Sequence, residues 1–64
     1  MKYKAYWVYE GKEILVFPRS KKTIFFHTVD LAARALERQG KRVRKDTRGI
    51  VRDIENNDVL TIAL

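Results

Sequence analysis

The sequence predicts an α+β domain: a small curled antiparallel sheet with one covering helix, in the order β-β-β-α-β-β-β. Three observations carry this. Apolar residues alternate with a period of two over residues 3–17. At Thr28 the period changes to that of a helix and runs to Gly40. Beyond Gly40 the apolar runs are short again and are separated by Asp, Asn and Gly clusters. With 64 residues there is room for a single domain, near the lower size limit for folding alone.

The first two strands form a hairpin. Tyr3, Ala5, Trp7 and Tyr9 fall on one face, Tyr6 and Val8 on the other. Glu10-Gly11-Lys12 supplies the glycine that a tight turn needs. Ile14, Leu15, Val16 and Phe17 make the return strand, and four apolar residues in a row predict that it is central or covered on both sides at one end. Pro18 ends it, since proline donates no hydrogen bond to a sheet. After the basic turn Arg19-Ser20-Lys21-Lys22, residues 23–26 are expected as a third short strand.

Thr28 or Asp30 caps a helix over residues 29–39. Val29, Leu31, Ala32, Ala33, Ala35 and Leu36 cover a broad apolar arc, and Asp30, Arg34, Glu37 and Arg38 lie opposite. Alanines let the helix sit close to a sheet, and Gly40 is expected as its left-handed stop. Asp46-Thr47-Arg48-Gly49 reads as a type I turn joining a strand at 42–45 to one at 50–54. Residues 55–58 form a second turn, and residues 59–63 a last strand in which Leu60 and Ile62 share a face.

The charge is lopsided. Fourteen Lys and Arg against eight Asp and Glu give a formal +6, which favours a polyanionic partner. The densest stretch is RQGKRVRKDTRGIVR, residues 38–52. Strand parity places Arg42 and Arg44 on one face, with Arg52 joining them if the 46–49 turn carries a bulge. Arg34 and Arg38 extend the surface onto the helix. The arginine fork suits phosphate oxygens and base edges. The expected nucleic-acid-binding residues are therefore Arg34, Arg38, Lys41, Arg42, Arg44, Lys45, Arg48 and Arg52. Duplex DNA is the favoured ligand, because a basic hairpin fits an open groove, and the role is regulatory or architectural. The bland reading of the same charges is solvation, with Lys41 and Arg42 complementing the helix dipole. Arg19, Lys21 and Lys22 are expected as a solvated tip.

The aromatics Tyr3, Tyr6, Trp7, Tyr9, Phe17, Phe25 and Phe26 all lie in the N-terminal half. Trp7, Phe17 and either Phe25 or Phe26 are expected in the core, with Tyr6, beside Lys4, the best candidate for a partly exposed stacking ring. Apolar residues on both sheet faces point to a second reading: an oligomeric or adaptor module, a homodimer or a binder of an acidic protein.

Enzyme chemistry has little to work with. There is no cysteine, so no disulfide, thiolate metal site or thiol nucleophile. His27 is the only histidine and Ser20 the only serine, which leaves no metal cluster and no triad. A small ribonuclease using His27, Glu37 and an arginine is the remote alternative. No cofactor is expected. The N-terminal residues do not form a signal peptide and no apolar run is long enough to span a membrane, so a cytoplasmic protein is expected. Three strands followed by a helix over residues 3–39 resembles the layout of small DNA-binding domains that read a groove with a three-stranded sheet. The resemblance is one of element order, and it assigns no residue roles.

Overall fold

Tyr3–Tyr9 (β1) and Lys12–Val16 (β2) pair as an antiparallel hairpin with Tyr9 opposite Lys12, so the loop is only Glu10 and Gly11. Both loop residues have positive φ, 49° and 76°, as a two-residue type I′ turn demands. A Cβ at Gly11 would meet nothing, so its left-handed backbone alone calls for glycine. The computed structural model describes residues 2–20, 22–40 and 46–63.

The rest of the sheet is built from Arg48–Asp53 (β3) and Asp58–Ala63 (β4), in the spatial order β2-β1-β3-β4, antiparallel throughout. Among the described residues the order along the chain is β-β-α-β-β, not β-β-β-α-β-β-β. The sheet is open rather than curled, with β2 and β4 as its two edges.

Each departure from expectation has a local cause. Residues 23–26 do not form a strand; Phe26 alone bridges to Tyr3, through Tyr3 N–H to Phe26 O at 2.9 Å and Phe26 N–H to Tyr3 O at 2.7 Å. On that side of β1 the pairing with β2 stops at Ala5, so little of β1 remains for a third strand. The Thr23 hydroxyl also accepts the Phe25 N–H at 3.1 Å, a local bond that competes with strand pairing. The likeness to a three-stranded DNA-reading sheet loses its third strand with it. β2 is an edge and not central: Ile14 and Phe17 are more than half exposed.

Arg48 and Gly49 lie within β3 and not in a turn. Both edges of β3 are occupied, by β1 and β4. The expected strand at 42–45 lies outside the described residues.

Val29–Gln39 (α1) forms as predicted. Thr28 is the cap: its backbone is extended and its hydroxyl accepts the Leu31 N–H at 3.1 Å. Gly40 is right-handed, φ −57°, and donates its N–H to the Glu37 carbonyl, so the helix ends without the left-handed stop. Ala32, Ala35 and Leu36 are buried against Ala5 and Trp7 of β1, Val16 of β2 and Val51 of β3, with Phe26 closing one end. Leu31, expected on the apolar arc, is 44% exposed. Between β3 and β4 the Asp53 carboxylate accepts the N–H groups of Glu55 and Asn57, both at 2.9 Å, and Asn56 takes φ 65°. Arg52 pairs with Asp58 and Val51 with Leu60, which leaves Val59 as a bulge.

Candidate nucleic-acid interface

Among the described residues the sheet has a helix on one face only. On the open face β1 contributes Lys4, Tyr6 and Val8, β2 contributes Glu13 and Leu15, β3 contributes Arg48, Ile50 and Arg52, and β4 contributes Asp58 and Thr61. Arg52 sits at the centre of a closed set of contacts. Its Nε donates to Asp58 Oδ1 at 2.7 Å, and its two terminal nitrogens donate to the Glu13 carboxylate at 3.0 and 2.5 Å. Its guanidinium stacks on the Tyr6 ring, 5.0 Å from the centroid, and Lys4 Nζ lies 6.0 Å from the same ring. Lys4 also donates to Asn56 Oδ1 at 2.7 Å. Three of the five N–H donors of Arg52 are thus engaged by acids of the protein itself, and the ring proposed for base stacking already carries two cations. Arg48, on the same face, is exposed and has no ion pair among the described residues.

These contacts set an acid limit on stability. Hydrogen bonding to Arg52 holds the Glu13 carboxyl below its ordinary 4.5, and the backbone N–H of Asn57, then that of Glu55, hold Asp53 below 3.8. A carboxyl with a depressed folded pKa binds fewer protons folded than unfolded. Its stabilisation is therefore complete above the unfolded value and is lost as pH falls through the folded one. The urea midpoint is expected to be level from neutral pH down to about pH 5 and to fall below about pH 4. Arg52→Met should make that acid limb shallower, because Glu13 then titrates alike in both states. An unchanged limb would show that the Arg52–Glu13 pair does not form in solution.

The other charged surface lies on the helix side. A groove of about 910 Å3 runs between α1 and the connection at 18–27, lined by Arg19, Arg34 and Arg38 together with Phe25, His27 and Leu31. A second groove of about 580 Å3 continues past Arg19 and Arg38 to Phe17 and Leu15. Arg34 is held by Asp30 through Nε at 3.1 Å, but both side chains are 70% exposed. Such an exposed i,i+4 pair contributes about 0.3–0.5 kcal/mol and is readily exchanged for a phosphate. Glu37 is the one acid in the lining of this groove.

The structure therefore divides the sequence-predicted site. Arg34 and Arg38 line the groove, Arg48 and Arg52 lie on the open sheet face, and Lys41, Arg42, Arg44 and Lys45 lie outside the described residues. Sequence reasoning placed Arg19 in a solvated tip, whereas it shares both grooves with Arg38. No periodicity could have joined them, since the contact crosses an irregular connection. Among the described residues no group of three or more His, Asp or Glu could hold a metal ion, and no helix is long and apolar enough to cross a membrane. No protein-family model, curated protein or solved structure matches this chain.

Proposed function

We propose that this protein binds nucleic acid without turning it over, seating phosphates along Arg19, Arg34 and Arg38. The observation that carries the reading is the convergence of these three exposed arginines, from two separate segments, on one groove of a chain with net charge +6. Three features favour an unpaired strand over the duplex expected from the sequence. The site is concave and lies between a helix and a loop. The exposed Phe17 stands beside the arginines, where a base can stack, and so does the half-buried Phe25, whose ring has Lys2 Nζ 5.3 Å from its centroid. The argument for a duplex rested on a basic hairpin centred on residues 46–49, and Arg48 and Gly49 belong instead to a central strand.

Binding to single-stranded DNA, single-stranded RNA, duplex DNA and duplex RNA over a salt series tests this. Each neutralised phosphate contributes about 0.7 to the log–log salt slope for single strands. Changing Arg19, Arg34 and Arg38 together to Ala is expected to lower that slope by about 2 and to weaken binding to every sequence alike. The fold should survive, since all three are exposed and two are on a helix that alanine favours. If changing Arg42, Arg44 and Arg48 has that effect instead, the groove is not the site. No binding to any of the four at low salt would overturn the nucleic-acid reading and leave an acidic protein as the partner. On the non-enzymatic reading the RNA recovered from the assay should be intact; His27 and Glu37 line the same groove, and cleavage would convert the reading to a ribonuclease.

A further inference from the structure

We propose that a second copy of this chain docks on the free edge of β4, pairing antiparallel about a two-fold axis at Thr61 to give one continuous eight-stranded sheet. This does not rest on the nucleic-acid reading. The sheet order leaves two edges, β2 and β4, and they differ. β2 reads KEILV, with two charged residues in five. β4 reads DVLTIA, and after Asp58 it carries no charge and no proline. Natural sheets usually blunt a free edge with charge, proline or a bulge; among the described residues β4 has Asp58 and the Val59 bulge at its start only, and residues 60–63 beyond them are left open.

The register of β4 suits self-pairing. Leu60 and Ile62 lie opposite Val51 and Gly49 on the helix side, and Thr61 lies opposite Ile50 on the open side. A two-fold axis at Thr61 sets Leu60 against Ile62 of the second copy and each Thr61 against the other. Both faces then match, since side chains alternate with a strict period of two. Leu60 and Ile62 are only partly buried at the margin of the core, and pairing would extend the core across the junction.

Charge selects the occupant. At the turn that opens β4 stand the exposed Glu55 and the half-exposed Asp58, which shares Arg52 with Glu13, while the Asp53 carboxylate is taken up by the turn itself. At its other end Ala63 pairs with Arg48, which is exposed and has no ion pair among the described residues. Antiparallel pairing brings the acidic turn of each copy towards the Arg48 end of the other, twice by symmetry. A docking strand therefore needs an acidic and a basic end in opposed order, which this chain itself supplies. The arginines of the groove lie on the helix side and not along this edge, so the net charge does not set them against one another.

Sedimentation without nucleic acid, from low to high micromolar protein, should show dimer. Thr61→Lys puts two ammonium groups opposite each other at the axis and should give monomer where the wild type is dimeric, with an unchanged circular dichroism spectrum. Thr61→Cys, in a chain with no other cysteine, should give a covalent dimer on mild oxidation, while Thr23→Cys, away from β4, should not. A wild type that stays monomeric throughout overturns the proposal. So does a dimer that Thr61→Lys leaves intact and Thr61→Cys does not cross-link. If Thr61→Lys fails to fold, the cross-linking result decides alone.

Discussion

Leu36→Ala is expected to leave this protein largely unfolded under conditions where the wild type is folded. Leu36 is fully buried on α1 and is the largest side chain of the helix in the core. Its neighbours on the helix, Ala32 and Ala35, are small and cannot swing in to fill a void. Removing a buried leucine side chain costs about 2–5 kcal/mol, from lost transfer free energy and the cavity left behind. A core of this size rarely contributes more than about 3–5 kcal/mol of net stability. One side chain is thus comparable to the whole margin. Urea unfolding followed by circular dichroism and tryptophan fluorescence would measure it, since Trp7 is the only tryptophan and lies beneath the same helix. A loss below about 1 kcal/mol would mean that α1 does not pack on β1 and β3 as described.

How much of this was legible follows from which residues act locally. The hairpin of β1 and β2 and the helix with its Thr28 cap were readable because period, turn and cap are set by neighbours in sequence. The face assignment of β1 was readable too: Ala5 and Trp7 are buried, and Tyr6 and Val8 face the other way. Strand order was not. ILVF looked central because it is apolar, yet it lies at the edge of the sheet, where Ile14 and Phe17 stay more than half exposed. Phe26 looked like part of a strand because its neighbours favour one, but β1 offered room for a single bridge. Of the groove's arginines, Arg34 and Arg38 could be placed on one face from helix parity. Arg19 was missed because its placement depends on a connection with no period. Arg52 was assigned to a ligand because its charge was visible and its partners were not: Glu13 is 39 residues away in sequence.

Gly49 is the sharpest case of a residue whose sequence meaning reversed, and Gly49→Ala is the second large effect expected. In the sequence it reads as a turn glycine; in the sheet it lies mid-strand between Trp7 and Ile62. Its φ is not in the left-handed region, so backbone strain is not the reason for glycine there. A Cβ would instead stand 3.0 Å from Leu36 Cδ1 and 3.3 Å from Trp7 Cζ3. Alanine would gain about 0.4–1 kcal/mol by restricting the unfolded chain. Overpacking a close contact costs about 1–3 kcal/mol. Neither neighbour can step aside freely, since Leu36 is fully buried and the Trp7 ring is nearly so. The packing cost should win, and Gly49→Ala should destabilise by about 1–2 kcal/mol in urea unfolding. The same geometry predicts the sign of the coupling. Shortening Leu36 removes the nearest clash, so the new methyl would partly fill the cavity that Leu36→Ala creates. Added to Leu36→Ala, Gly49→Ala should then cost nothing or restore stability, giving a coupling of about 1 kcal/mol or more between the two sites. Because Leu36→Ala is expected to be largely unfolded on its own, the cycle is best measured in a stabilising osmolyte, where both single variants fold. Strict additivity would show that the helix does not approach β3 closely at Gly49, and that the glycine is there for another reason.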